Sequence, residues 1–277
     1  MNAPSPRPNR RGILAALIAS ALLAIPMGFA SPSQAAPPAL PIAKYVALGD
    51  SIAAGQGAGV PLDSCLRTGA GYANLLDDQP RINLLRNAGC SGASITDVVE
   101  QQLGQLNQGT TLVTITAGAG DLEIGAVYAA CVPDPQTPAC AAAYGAAQQV
   151  LASGVIGPRM AALIAAAHER APRAQILVTG YPVPFDLAVP GFPTAIDQAV
   201  IALNGFVGGA ATGAAASGAP VSFVPVAEAF AGHGAASGPA AWIGADPADP
   251  VTFLHPNAAG YDAYAELLHS AYLESAS

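Results

Sequence analysis

Two of the 277 residues stand out for the chemistry their surroundings permit, Ser51 and His255. Ser51 lies in the string ALGDSIAAGQG, where a short apolar stretch gives way to a predicted helix. That position puts the hydroxyl at a strand end beside the first NH groups of a helix, and such exposure is what a nucleophilic serine needs. A serine there also suits a plain helix cap. A nucleophile further requires a base, and the chain has four histidines, His168, His233, His255 and His269. His168 and His269 fall within helical patterns and read as ordinary helix residues; His233, in Ala-Gly-His-Gly, is a loop residue. His255 stands in FLHPNAAGY, directly before a proline that suits the first turn of a terminal helix. The loop ahead of that helix can bring an imidazole to the strand ends, which makes Ser51 and His255 a candidate pair for acyl transfer.

The elements that must position them follow from the hydrophobic pattern. Five short, largely apolar runs, 44–48, 81–85, 112–116, 175–179 and 221–226, each end in glycine, proline or polar residues and read as buried strands. Helical patterns lie between them at 73–76, 96–106, 141–170 with a break at Gly157-Pro158, and 194–216, and a last helix runs from Pro256 to about Leu273. Alternating strand and helix predicts an α/β fold with a parallel sheet covered on both faces. Ligands of such sheets bind beyond the carboxyl ends of the strands. Chemistry is therefore expected in the loops Gly49-Asp50-Ser51, NAGCSGAS and AGAGDLEIG.

Composition narrows the function. Apolar residues make up 52% of the chain and charged residues 10%, which excludes a disordered chain. The first acid is Asp50, and Arg7, Arg10 and Arg11 precede a mostly apolar run from Gly12 to Ala30, the pattern of a secretory signal peptide. Cleavage is expected after Ala35, leaving a single domain over residues 36–277, with no integral membrane domain and an extracellular location. The remaining seven basic residues against 18 acidic ones cannot build a patch for nucleic acid. An even number of cysteines in an exported chain predicts two disulfides, and Cys65 with Cys90 and Cys131 with Cys140 is the favoured pairing, the second pair bracketing a short loop. No phosphate-cradling loop or metal-ligand cluster accompanies the candidate site, so no cofactor or metal is expected.

G-D-S at 49–51, S-G at 91–92 and H-P-N-A-A-G at 255–260 resemble, in order and spacing, the blocks of the SGNH (GDSL) hydrolases, most closely the secreted bacterial lipases and esterases of that family. The resemblance covers nearly all of the mature chain, cysteine placement in the first half included. It implies a three-layer α/β/α sandwich with a five-stranded parallel sheet, flavodoxin-like, and hydrolysis of a small-molecule or lipid ester without a metal. It also implies Ser51 as nucleophile, His255 as general base and the Gly92 NH as an oxyanion donor.

Two departures bear on that expectation. The family's third block reads G-x-N-D, its asparagine donating to the oxyanion, whereas Gly118-Ala119-Gly120-Asp121 puts glycine there; Asp121 follows the pattern and is not expected to be catalytic. Losing one such donor costs about 3–4 kcal/mol of barrier. The family also commonly has Asp three residues before its histidine, and here that residue is Thr252. The backbone carbonyl of Thr252 is expected to hold the ring in preference to Asp249 or Asp246, because Pro250 limits how the chain folds back. The contrasting reading is a catalytically impaired SGNH-fold protein with a binding or structural role outside the cell. The loop Ala53–Val60 and the segment Leu187–Phe192 are candidates to line an acyl groove, and Trp242 is either a flank of the site or a buried loop anchor.

Overall fold

The apolar runs become β1 (Ala43–Gly49), β2 (Ile82–Asn87), β3 (Leu112–Thr116), β4 (Gln175–Thr179) and β5 (Val221–Val224) in the computed structural model, which describes residues 41–187 and 189–275. All pair in parallel in the order β2-β1-β3-β4-β5. The two central strands are buried along their length apart from Lys44, as cover on both faces demands. Their threonines are satisfied in place: Tyr45 bonds Thr114 at 2.7 Å, Tyr72 bonds Thr116 at 2.9 Å, and Thr116 meets Thr179 across the sheet at 2.6 Å.

Nine helices connect or flank the strands among the described residues: α1 (Ser51–Ala54), α2 (Tyr72–Asp77), α3 (Ile95–Asp97), α4 (Ile124–Cys131), α5 (Pro138–Ser153), α6 (Ile156–Arg170), α7 (Phe192–Ala216), α8 (Val226–Ala229) and α9 (Ala258–Ser275). The α2 and α9 helices pack together on one face, and α6 and α7 pack together on the other. After Asp97 the chain runs on through a π turn (Val98–Gln102) and a 3-10 turn (Leu103–Gln105). The break expected at Gly157-Pro158 falls instead at Gly154, which closes α5 in the left-handed conformation. Pro158 sits in the first turn of α6, where a missing NH costs nothing. The last helix starts after Asn257, whose Oδ1 accepts from the Gly260 NH at 3.1 Å, rather than at Pro256. Among the described residues α7 alone is a single helix long and apolar enough to cross a membrane, and Leu203, Val207 and Ala211 bury one side of it in the core. The expected leader, residues 1–35, lies outside the described residues.

Cys65 is bonded to Cys90 and Cys131 to Cys140. Closing loops of these separations, 25 and 9 residues, restricts the unfolded chain by about 2–4 kcal/mol each. Reduction with dithiothreitol is therefore expected to lower the calorimetric unfolding midpoint by roughly 10–20 °C. An unchanged midpoint would mean that the bridges constrain nothing the rest of the fold does not already hold.

Candidate active site

The strand order reverses at β1: β2 lies to one side and β3 to the other, so the loops leaving β1 and β3 diverge and open a crevice at their carboxyl ends. Ser51 stands there as the first residue of α1, half-buried. The cap of that helix is Asp50, whose Oδ1 accepts from the Ile52 NH at 3.1 Å, so the hydroxyl of Ser51 is not spent on capping. Gln102, delivered by the π turn, bonds the Gly49 NH and carbonyl at 2.8 Å each and fixes the end of β1 from below.

His255 reaches the same crevice from the loop ahead of α9. A Cβ placed on Gly57 would lie 2.8 Å from the His255 Cβ and 2.7 Å from the Pro256 carbonyl oxygen, so the loop after α1 touches the histidine backbone closely enough to demand glycine. Nδ1 of the ring lies 2.9 Å from the carbonyl oxygen of Phe253. This corrects the expected partner: the Thr252 carbonyl takes the backbone NH of His255 instead, at 3.0 Å, and Leu254, at φ +60°, bends the chain so that the next carbonyl along meets the ring. Asp249 is occupied as a turn residue, accepting from the Val251 NH at 3.0 Å and the Thr252 hydroxyl at 2.9 Å; that hydroxyl bond holds its carboxyl below the usual range. Asp246 likewise accepts from the Ala248 NH at 2.9 Å. With Nδ1–H donated to Phe253, Nε2 is left as a free lone pair. Desolvation pulls the imidazole pKa down to about 4, so the ring is the neutral base across the physiological range.

Gln56 is the residue that sequence reasoning missed. Buried at 4% exposure, it accepts from the Ser91 hydroxyl at 2.7 Å and donates to the carbonyls of Pro250 and Val251 at 3.3 and 3.1 Å. Its own carbonyl accepts from Tyr261 of α9 at 2.9 Å. One side chain thus ties together the loops that carry Ser51, Gly92 and His255. It stood in the ALGDSIAAGQG string, but nothing local marks a partner nearly two hundred residues away.

Among the described residues nothing accepts a hydrogen bond from the backbone NH groups of Ser51, Gly92 or Gly120. Gly120 carries the further constraint. A Cβ there would fall 2.5 Å from the Ala93 carbonyl carbon and 2.8 Å from the Gly92 oxygen, with the Ala93 oxygen closer still. The loop after β3 therefore lies directly against the loop after β2, and no side chain fits between them. Asp121 anchors this contact by accepting from the Ile95 NH at 2.7 Å and from Arg159 at 2.9 Å. Beside Gly92 a cavity of about 380 Å³ is lined by polar groups, among them Arg67, Arg86, Ser91 and Gln101.

The other candidates go elsewhere. His233 stacks flat on Trp242, ring centroids 3.7 Å apart, with Nδ1 at 2.6 Å from the Ala240 carbonyl oxygen. Trp242 also meets Phe230 edge-on at 5.3 Å, so it anchors its loop. His168 and His269 lie in α6 and α9. Ala53 and Ala54 are buried within α1 and cannot line a groove, whereas Val60 and Leu187 are exposed.

Comparison with known proteins identifies the family of the chain. Residues 47–263 match the model of the GDSL-like Lipase/Acylhydrolase family. A lipase of Streptomyces rimosus is 31% identical over 264 residues, 92% of this chain and 97% of that protein, and Lipase 1 of Streptomyces coelicolor is 33% identical over 174 residues, 62% of this chain and 63% of that one. The crystal structure of phospholipase A1 from Streptomyces albidoflavus superposes with a TM-score of 0.72 at 31% identity, covering 83% of this chain and 99% of that one. The extracellular lipase of S. rimosus superposes equally well, with the same TM-score and identity. The chain belongs to the GDSL-like lipase/acylhydrolase family.

Proposed function

We infer that the chain is a secreted serine ester hydrolase in which Ser51 forms an acyl-enzyme and His255 is the general base. The observation that carries this reading is that the loop following the helix of Ser51 lies against His255, which brings a serine freed from capping duty near a neutral histidine whose Nδ1 is already satisfied. In the first step His255 Nε2 takes the Ser51 proton as Oγ attacks the ester carbonyl carbon, and the oxygen of that carbonyl becomes an oxyanion. The NH groups of Ser51, Gly92 and Gly120 are assigned as its donors. The imidazolium then returns the proton to the departing alkoxide, and the alcohol leaves. A water molecule, deprotonated by the same ring, attacks the acyl-enzyme and releases the acid. The Phe253 carbonyl orients the ring through this cycle but gives the imidazolium less support than a carboxylate would.

The relatives named lipases, together with the phospholipase A1, support lipid esters as the substrate class. Export with removal of residues 1–35, and a single domain over 36–277, complete the proposal; two disulfides and the extracellular relative support it. The contrasting reading of an impaired binding protein rested on the glycine at 120 together with the missing Asp at 252; the lack of room for a side chain at 120 and the Phe253 carbonyl on the histidine ring weigh against it. The test is turnover of p-nitrophenyl esters of increasing acyl length by the oxidised protein, before and after treatment with diisopropyl fluorophosphate. The expected result is complete loss of turnover with one adduct on the peptide containing Ser51. Turnover that survives the reagent, or an adduct elsewhere, would overturn the assignment.

A further inference from the structure

Directly behind Ser51 the carboxyl of Asp50, 1% exposed, lies 2.5 Å from the phenol oxygen of Tyr181, 5% exposed. Tyr181 follows β4, and its backbone is clamped on both sides by Asn204 of α7, which accepts from the Tyr181 NH at 2.7 Å and donates to its carbonyl at 2.8 Å. The same phenol oxygen accepts from the Ala119 NH at 3.1 Å. Three loops are thus linked in one line: the nucleophile turn through Asp50, the loop after β4 through Tyr181, and the loop after β3 through Ala119, the neighbour of Gly120.

We propose that Tyr181, fixed between ionised Asp50 and the Ala119 NH, is a positioning residue that holds the Gly120 NH at the oxyanion. This rests on the reading of Ser51 as nucleophile. It accounts for how a chain with glycine in place of the family's asparagine aims its third donor: the backbone supplies the NH, and a phenol strut keeps the backbone from drifting. With Asp50 ionised, Ala119 donates to the phenol, the phenol donates to Oδ2, and Ile52 donates to Oδ1; a proton on Oδ2 would be donated to the phenol oxygen in turn and compete with the Ala119 NH for it.

The strut should therefore loosen on protonation of Asp50. Burial raises that carboxyl to about 7, while the bonds from Tyr181 and Ile52 work against the rise. The groups that act on it are Asp121 from the turn after β3, which raises it further, and the buried phenols of Tyr181, Tyr72 on α2, and Tyr261 and Tyr264 on α9; no cation is among them. The carboxylate, and with it the strut, is present above pH 7 and lost below.

Two readouts test this together. Nitrogen-15 NMR of the Ala119 and Gly120 amides from pH 5 to 9 should show both titrating with a midpoint near 7, and neither titrating there in Asp50→Asn. With a soluble p-nitrophenyl ester, Tyr181→Phe should lower kcat by roughly 10–100-fold, a fraction of the loss of a whole donor, with KM changed less than about threefold. Its acidic limb near 7 should vanish, because no phenol hydroxyl then couples Asp50 to the Ala119 NH. In Asp50→Asn the limb near 7 should vanish, leaving the one set by His255. Loss of stability alone would scale activity without moving the limb. Amides that do not titrate near 7, or a Tyr181→Phe enzyme with wild-type kcat and profile, would overturn the proposal. Titrating amides in a protein that hydrolyses no ester would instead leave the strut standing and remove the hydrolase reading.

Discussion

Ser51→Ala and His255→Ala are each expected to lower kcat for a p-nitrophenyl ester by roughly 10⁴–10⁶-fold, and the double variant by no more than the worse of the two. The reason is that the pair acts as one unit. Without Oγ there is no acyl-enzyme, and His255 can do no more than activate a water for direct attack on the ester. Without Nε2, the Ser51 proton has no acceptor, because the nearest buried carboxyl, Asp50, is already committed to Ile52 and Tyr181. What survives is the contribution of the oxyanion NH groups and of binding, common to all three variants. Purified variants compared at saturating ester check the result. A His255→Ala enzyme within tenfold of wild type would show that another group takes the proton, and the base would have to be sought again. Independent losses that multiply in the double variant would equally refute a shared step.

The legibility of this fold in its sequence follows the range of the interactions. Strands came through because each is a short buried run between turn residues, and burial on both faces leaves a signal confined to the strand itself. The α4 helix left none: it follows Glu123, which takes the left-handed conformation without a side-chain cap, and has glycine at its second position. The helix expected at 96–106 is a succession of α, π and 3-10 turns, because the π turn is what swings Gln102 under Gly49. Ser51 and His255 were readable because their neighbours form short motifs. Their supports were not. Gln56 bonds groups 35 to 205 residues away, and Tyr181 reaches Asp50 across 131 residues. The histidine's acceptor was displaced by one residue, from Thr252 to Phe253, by a single left-handed dihedral at Leu254 that no residue type announces. Even Thr116 of β3 and Thr179 of β4, polar in runs read as apolar, have their partners on tyrosines of α2 and α9 that no strand pattern announces.

Gly120→Asn, which would write the family's side-chain donor back into the loop after β3, is expected to slow the enzyme by about 100-fold or more rather than speed it. The family pattern alone suggests the opposite, since an added oxyanion donor is worth roughly 10²–10³ in rate. Space decides between them. The Cβ would meet the carbonyls of Gly92 and Ala93, which are backbone and cannot rotate away, so the two loops must separate. Separation moves the Gly92 and Gly120 NH groups apart, pulls Ala119 from Tyr181, and costs about 1–3 kcal/mol of overpacking. A fall of several degrees in the unfolding midpoint should accompany the lost activity. Gly120→Ala separates the causes, because it carries the same Cβ without the amide. If space governs, alanine and asparagine lose activity alike. If a side-chain donor is what the site lacks, alanine loses and asparagine gains over wild type, and Gly120 would then mark a weakened oxyanion hole instead of one closed by backbone.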